Sequence, residues 1–319
     1  MKCLNILVTG GAGFIGSHLV EALVKEKGCK VRVLDSLVKG KLSSIKYLID
    51  EGRVEFIEGD IRGKDIVDKS MRDIDYVFHT AGIHINRSSE SPDECIQTNI
   101  VGSYNVFKSA AQHGVKRVIF SSSSSIYGEP VKLPMAEDDF PDANEPYGAS
   151  KWMCEKLLRH LAKADGLKYN ALRYFNVYGS RQASHAYYTT VIISFIKRII
   201  NKEPPVIDGK GDQSMDFTHV SDVVRANILA MKSGAVNDVF NVGTGVSTSV
   251  AKLAEILINA LNADVKPIFR PRDVVCTRRQ ADTYKAEKLL GFKAKIKVVD
   301  GLTQVAKEIV AHPELYQLG

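Results

Sequence analysis

Residues 7–16 constrain this chain more than any other stretch. Leu7-Val8-Thr9 is an apolar run with strand character, Gly10-Gly11-Ala12-Gly13 a turn, and Phe14-Ile15-Gly16 the start of a helical pattern. Gly10 permits the tight turn, Gly13 lets a pyrophosphate reach the backbone, and Gly16 lets helix and strand lie close together. The helix start supplies unpaired N–H groups and a partial positive charge, which the phosphates of a dinucleotide would accept. Asp35 follows Gly16 by 19 residues, at the end of the next apolar run. A carboxylate there, with Ser36 beside it, accepts bonds from an adenosine ribose and repels a 2′-phosphate. The pair therefore predicts a dinucleotide site and favours NAD over NADP.

The rest of the chain supports a sheet built around that turn. Short β-rich runs at 5–9, 31–35, 54–58, 76–79, 117–122 and 169–174 alternate with helix-length segments at 14–27, 92–113 and 147–165. Continuously apolar strands separated by helices predict an α/β fold with a doubly wound parallel sheet covered on both faces. After Tyr178 the rhythm changes: an irregular stretch at 181–188 and a helix ending before Glu203-Pro204-Pro205 come first. A helix at 221–231, a strand at 239–242 and a helix at 247–262 capped by Ser247 follow. No Pro-, Gly- or Ser-rich linker intervenes, so the second region is expected to pack on the first.

Composition narrows the class. With 319 residues, 45% hydrophobic and 25% charged, the chain can bury a sizeable core and is neither disordered nor a fibrous repeat. Its five cysteines, Cys3, Cys29, Cys95, Cys154 and Cys276, form no C-x-x-C pair, which predicts reduced thiols in the cytoplasm. The most apolar stretch, 191–200, is interrupted by Lys197 and Arg198, so no membrane span is expected. The eight histidines lack H-E-x-x-H spacing, which predicts no metal; His79 and His219 read as structural or near-site residues.

A Tyr and a Lys four residues apart share one helix face, where the ammonium can lower the phenol's pKa. The spacing occurs as Tyr104/Lys108, Tyr147/Lys151 and Tyr284/Lys288. Position decides among them. Tyr147 opens a helix after Pro146, in the connection leaving the fifth strand, and that strand ends in the serine run 121–125 at the edge where such sheets bind ligands. Tyr104 has apolar neighbours and reads as packed; Tyr284 follows a basic loop and reads as surface.

These motifs, with Asp60-Ile61, residues 121–128, Tyr147-Gly148-Ala149-Ser150-Lys151 and Leu172-Arg173-Tyr174-Phe175-Asn176-Val177-Tyr178-Gly179, resemble the extended short-chain dehydrogenase/reductases. The most similar group is the NAD-dependent nucleotide-sugar 4-epimerases of the UDP-glucose and UDP-N-acetylglucosamine type. The resemblance implies a Rossmann domain at 1–178, to which 218–245 returns, and a smaller substrate domain at 179–217 and 246–319. It implies Tyr147 as acid/base, Lys151 on the nicotinamide ribose and Ser123 on the sugar 4-hydroxyl. Gly10, Gly13, Phe14, Ile15, Gly16, Asp35, Ser36, Asp60, Ile61, Ala81, Asn99, Tyr147, Lys151 and Tyr174 would hold NAD. Asn176, Thr190, Val191, Arg270 and Asp273, with Ser123, would hold a UDP-linked sugar. In such enzymes hydride leaves sugar C4 for NAD+, the 4-keto sugar turns over, and hydride returns to its other face. Relatives pair as homodimers through helices corresponding to 92–113 and 147–165.

Two departures bear on the alternatives. Ser124-Ser125 replace the Asp-Glu pair of related 4,6-dehydratases, which favours epimerisation over dehydration or decarboxylation. Met215 stands where many relatives carry a diphosphate-binding arginine. A net reductase or dehydrogenase of a nucleotide sugar and, more remotely, a non-catalytic NAD-binding regulator remain the other readings. Nucleic-acid binding is not expected, because no basic-aromatic motif accompanies the net charge of +6. That charge is local: residues 266–297 carry ten basic residues against Asp273, Asp282 and Glu287. Lys293, Lys295 and Lys297 suit a solvated face, whereas Arg270, Arg272, Arg278 and Arg279 suit an anionic diphosphate.

Overall fold

The computed structural model describes residues 3–182, 189–271 and 277–316, without the side chains of 189, 190, 314 and 315. Six strands, β1 (Leu4–Thr9), β2 (Cys29–Asp35), β3 (Val54–Glu58), β4 (Tyr76–His79), β5 (Arg117–Ser123) and β6 (Tyr169–Tyr174), join Asp238–Val242 in one sheet. The order is Asp238–Val242, β6, β5, β4, β1, β2, β3, and every pairing is parallel. The strand order reverses between β1 and β4, so the glycine turn after β1 opens into the crevice where doubly wound sheets bind ligands. The expected class, an α/β doubly wound parallel sheet, is the class observed.

Ile6, Leu7 and Val8 have no exposed surface, as a strand covered on both faces requires. One apolar layer packs Leu19, Val20, Leu23, Val223 and Ala230 on the sheet, and the opposite layer packs Val106, Phe107, Leu158 and Leu161. A separate core forms from Tyr178, Ile192, Ile196, Ile207, Leu253, Leu257, Leu302 and Ile309. A smaller cluster of Tyr127, Met135, Phe175 and Ala281 lies beside the turn that follows β5.

Three local expectations change. Ser247 does not cap a helix: Ser247–Ser249 pairs antiparallel with Ser214–Asp216, and the Ser247 hydroxyl donates to Ser214 Oγ at 2.8 Å. The helix starts later, at Val250–Ala260, with Ser249 Oγ accepting the Lys252 N–H at 3.1 Å. The segment expected at 92–113 divides into helix Pro92–Cys95, a π-type stretch Ile96–Gly102 and helix Ser103–Gln112. Tyr104 is not packed but 38% exposed, because its helix turns Val106 and Phe107 toward the core and leaves Tyr104 with Val101 on the outer face.

His79 ties the sheet to this helix. Its Nδ1 bonds Thr9 Oγ1 at 2.6 Å and its Nε2 bonds Ser103 Oγ at 2.8 Å, with no exposed surface. Burial, with the Lys151 charge adding to it, pushes the imidazole down to about 3. A histidine depressed in the folded state favours folding above its unfolded pKa and loses that contribution as pH falls toward the folded value. The expected result is stability falling by about 1.4 kcal/mol per unit between roughly pH 6.5 and 3. Urea midpoints across that window check it. A His79→Gln variant with the same slope would sink this assignment.

Candidate active site

At Gly10 φ is +72°, and a Cβ would lie 2.7 Å from the Ala81 backbone. A Cβ on Gly16 would lie 2.1 Å from the Gly10 carbonyl oxygen, so neither position tolerates a side chain. Gly13 is the N-cap of helix Phe14–Leu23 with no side-chain cap and no acid in the first turn, which leaves the helix N–H groups available to an anion. Asp35 Oδ2 accepts the Ala12 N–H at 2.9 Å and Oδ1 the Leu37 N–H at 2.8 Å. The acid thus braces the glycine turn and keeps lone pairs for a ribose. Ser36 is half-buried beside it, as are Phe14 and Ile15 along the helix start. Asp60 pairs with Arg62 at 2.6 Å, and those hydrogen bonds hold its carboxyl below the usual range. Ile61 is buried against Gly102, where a Cβ would be 2.7 Å away.

Ser123, Tyr147 and Lys151, the residues expected to react, gather at the end of β5. Ser123 ends β5 and its Oγ accepts the Ser125 N–H at 3.1 Å, which fixes the 3-10 turn Ser124–Tyr127. Helix Pro146–Ala164 brings Tyr147 to that turn. Its cap is Glu145, whose carboxylate accepts the Tyr147 N–H at 2.7 Å and the Gly148 N–H at 2.8 Å. Glu145 was missed from sequence, although an acid followed by Pro at the first helical position is a start signal. Lys151 is 5% exposed; its Nζ donates to the Ser121 carbonyl at 2.9 Å and lies 5.5 Å from the Tyr147 ring centroid.

Burial pushes the Tyr147 phenol up to about 12, while its hydrogen bond with Ser123 pulls the other way. Desolvation lowers the Lys151 ammonium. The downward shift expected from Lys151 is therefore not supplied by the protein alone, because burial dominates at both groups.

Several residues expected at the cofactor and the sugar also brace the fold. Asn99 Oδ1 accepts the Ile83 N–H at 2.8 Å, and its Nδ2 donates to the Ile83 carbonyl and Ser150 Oγ, both at 3.1 Å. The Tyr174 phenol bonds Ser121 Oγ at 3.1 Å and receives Asn227 Nδ2 at 2.8 Å. Asn176 has φ +27° and donates from Nδ2 to the Asp216 carbonyl at 3.2 Å, a strained backbone at the crevice rim. Beneath the trio, Arg173 and Glu155 form a buried pair at 2.7 Å, and Glu155 Oε1 also accepts Ser122 Oγ at 2.7 Å.

On the second region Val191 is half-buried against the separate core, and Thr190 lies at the start of helix Thr189–Ile200. Arg270 is exposed and paired with Asp208 at 2.7 Å. Asp273 and Arg272 lie outside the described residues. Met215 is buried in the separate core, so nothing charged replaces the absent arginine at that position.

Residues 6–243 match the NAD dependent epimerase/dehydratase family. This chain belongs to that family. A UDP-glucose 4-epimerase from Thermotoga maritima, solved with UDP-glucose, has TM-score 0.88 and 37% identity, covering 97% of this chain and all of that one, 100%. A UDP-N-acetylglucosamine 4-epimerase from Methanobrevibacter ruminantium, in complex with UDP-N-acetylmuramic acid, gives 0.90 and 36% over 98% and 100%. A dTDP-glucose 4,6-dehydratase from Streptomyces venezuelae, solved with NAD, gives 0.88 and 27% over 99% and 100%. The cofactor of this epimerase/dehydratase family member is NAD, and the chain fits it: an uncapped helix start would receive the phosphates and a braced carboxylate would receive the ribose. Among the described residues no group of His, Cys, Asp and Glu could hold a metal ion, and no helix is long and apolar enough to cross a membrane.

Proposed function

We propose that this chain inverts C4 of a UDP-hexose or UDP-N-acetylhexosamine. The observation that carries the reading is the convergence of three side chains, Ser123 at the end of β5, Tyr147 at the start of the helix beside it, and Lys151 with its Nζ 5.5 Å from the phenol ring centroid. The similarity to UDP-glucose and UDP-N-acetylglucosamine 4-epimerases supports it. When bound, NAD+ accepts a hydride from sugar C4 and returns it to either face of the resulting ketone. Ser123 Oγ orients the 4-hydroxyl, and Tyr147 removes and restores its proton. Lys151 holds a ribose hydroxyl of the cofactor, and Gly10, Gly13, Gly16 and Asp35 hold its adenosine and pyrophosphate. In this reading 1–178 with 218–245 serve the cofactor, and 179–217 with 246–319 serve the nucleotide sugar. Ser124 and Ser125 occupy the turn where dehydration needs an acid pair, which supports epimerisation.

NMR of the purified protein with UDP-glucose or UDP-N-acetylglucosamine, without added NAD, tests the reading. A 4-epimer forms without reduced cofactor accumulating. Absence of turnover with every nucleotide sugar overturns it.

The same reading includes a cytoplasmic homodimer. Ile96, Val101, Tyr104 and Met153 are exposed on the paired helices, and a second copy would cover them. The free thiols Cys29, Cys95 and Cys154 support a reducing compartment. Sedimentation at micromolar concentration should give about twice 35.2 kDa, with Met153→Glu shifting it to the monomer. A wild-type monomer would refute the pairing.

A further inference from the structure

Gly179, Ser180 and Arg181, the first residues beyond strand Val177–Tyr178, run against helix Phe14–Leu23. A Cβ on Gly179 would lie 3.7 Å from the Phe14 ring, and His18 Nε2 bonds the Ser180 carbonyl at 3.0 Å. Arg181 Nη1 donates to Ser17 Oγ at 3.2 Å. The Arg181 backbone has φ +63°, a left-handed conformation that a residue with a side chain keeps only where its surroundings impose it. They do so from two sides. The guanidinium reaches the helix, and the backbone meets the Tyr316 phenol, which itself donates to Glu308 Oε1 at 2.9 Å.

These contacts converge on Glu21. Its Oε1 accepts Arg181 Nη2 at 2.6 Å and the Tyr47 phenol at 2.6 Å. Tyr47 lies in helix Lys46–Asp50, at the far end of the loop that leaves Asp35. Nearer Asp35, the Lys41 N–H donates to the Ala12 carbonyl at 3.0 Å and ties the same loop to the glycine turn. Glu21 therefore joins three segments: the dinucleotide helix, the Asp35 loop and the chain leading into the second region. Burial alone would raise its carboxyl, but the hydrogen bonds from Tyr47 and Arg181 and the Arg181 charge hold it below the usual range. An exposed ion pair contributes little, because water competes for both partners. Lys46 and Asp50, at 62% and 58% exposed, make such a pair. Arg181 and Glu21 are 31% and 18% exposed, and each bonds a further neighbour.

We propose that Arg181 is a positioning residue for the cofactor: through Glu21 it fixes the dinucleotide helix to the Asp35 loop and to the chain entering the second region, so that NAD stays as a resident group. The contacts with NAD belong to the glycine turn and Asp35, and Ser17 and Glu21 lie one and two turns further along the helix. A dinucleotide held between the turn and Asp35 leaves when the loop and the helix start part, and the bonds to Glu21 oppose that parting. Retention in this sense is independent of which sugar the enzyme takes.

Release is followed by mixing purified holoprotein with excess isotopically labelled NAD and measuring, by mass spectrometry of the protein-bound fraction, the unlabelled NAD still held. Wild type keeps its NAD through gel filtration. Arg181→Gln and Glu21→Gln each release it about tenfold faster or more. Combining the two changes adds little, because both remove the same contact. Arg181→Lys keeps the charge without the two-point fork and falls between wild type and Arg181→Gln. Glu21→Gln preserves the shape of its side chain, so it supplies the measurement should Arg181→Gln not fold. Release from both single variants at the wild-type rate reduces the pair to a surface bond and overturns the proposal. A double variant in which the two effects multiply overturns it too, as does wild-type protein that loses its NAD on gel filtration. No sugar is present, so failure to epimerise any nucleotide sugar leaves these rates untouched.

Discussion

Tyr147→Phe lowers kcat by about a thousandfold, the usual range for losing a positioned proton donor and acceptor, while the protein still purifies with NAD. The division follows from where the groups sit. The phenol meets Ser123 at the end of β5, and the dinucleotide contacts belong to the turn after β1 and to Asp35 on β2. Removing one oxygen leaves the Glu145 cap, the Lys151 bond to Ser121 and the glycine turn intact. The pH profile separates loss of chemistry from loss of structure. Burial holds the phenol up at about 12, and the base form is the one that removes the proton. Wild-type turnover therefore rises as pH increases toward the phenol's pKa, and the residual rate of the Phe variant loses that rise. Absorbance and fluorescence of the bound cofactor check retention of NAD. A variant that lost its NAD, or kept the wild-type rate, would remove Tyr147 from this role.

What could be read before folding was whatever the chain writes locally. The glycine triplet and Asp35 lie within 26 residues, and each is required by one strand, one turn and one helix. Helix Pro146–Ala164 begins within one residue of expectation because Pro146 marks its first turn. The spacing of Tyr147 and Lys151 told which residues share a face, but not that the ammonium would also bond the Ser121 carbonyl. That depends on β5 passing beneath the helix.

Contacts between distant segments were illegible for the same reason. Ser247 and Ser249 are equal candidates for a cap until Ser214–Asp216 claims the first for a strand. Tyr104 has apolar neighbours of which Val106 and Phe107 face the core while it does not, so a local reading of burial fails. The four arginines between 270 and 279 look equivalent as charge. Only pairing with Ser214 sends Arg279 inward and leaves Arg278 outside.

Glu155→Ala should cost about 3–5 kcal/mol, because it leaves Arg173 as a buried cation without its counter-charge. Glu155 Oε1 accepts Arg173 Nε at 3.0 Å and Oε2 accepts Nη2 at 2.7 Å. Burial disfavours the Arg173 cation, and the Glu155 hydrogen bonds and charge more than offset it. The side chains are 5% and 6% exposed, so solvent cannot substitute for the lost carboxylate. At about 2–4 °C per kcal/mol, the midpoint should fall by roughly 10 °C. Replacing both residues by Leu should cost less than the single change, since it removes the charge left stranded as well as its partner. A single variant melting within about 2 °C of wild type, or a double variant less stable than the single, would contradict this account. The consequence reaches the chemistry, because Glu155 also takes the Ser122 hydroxyl and Arg173 also donates to the Tyr127 phenol at 2.8 Å. Ser122 precedes Ser123 on β5 and Tyr127 closes the turn that follows it. The pair therefore holds both ends of the segment on which Ser123 is presented to Tyr147, and its loss should lower kcat even at temperatures where the fold survives.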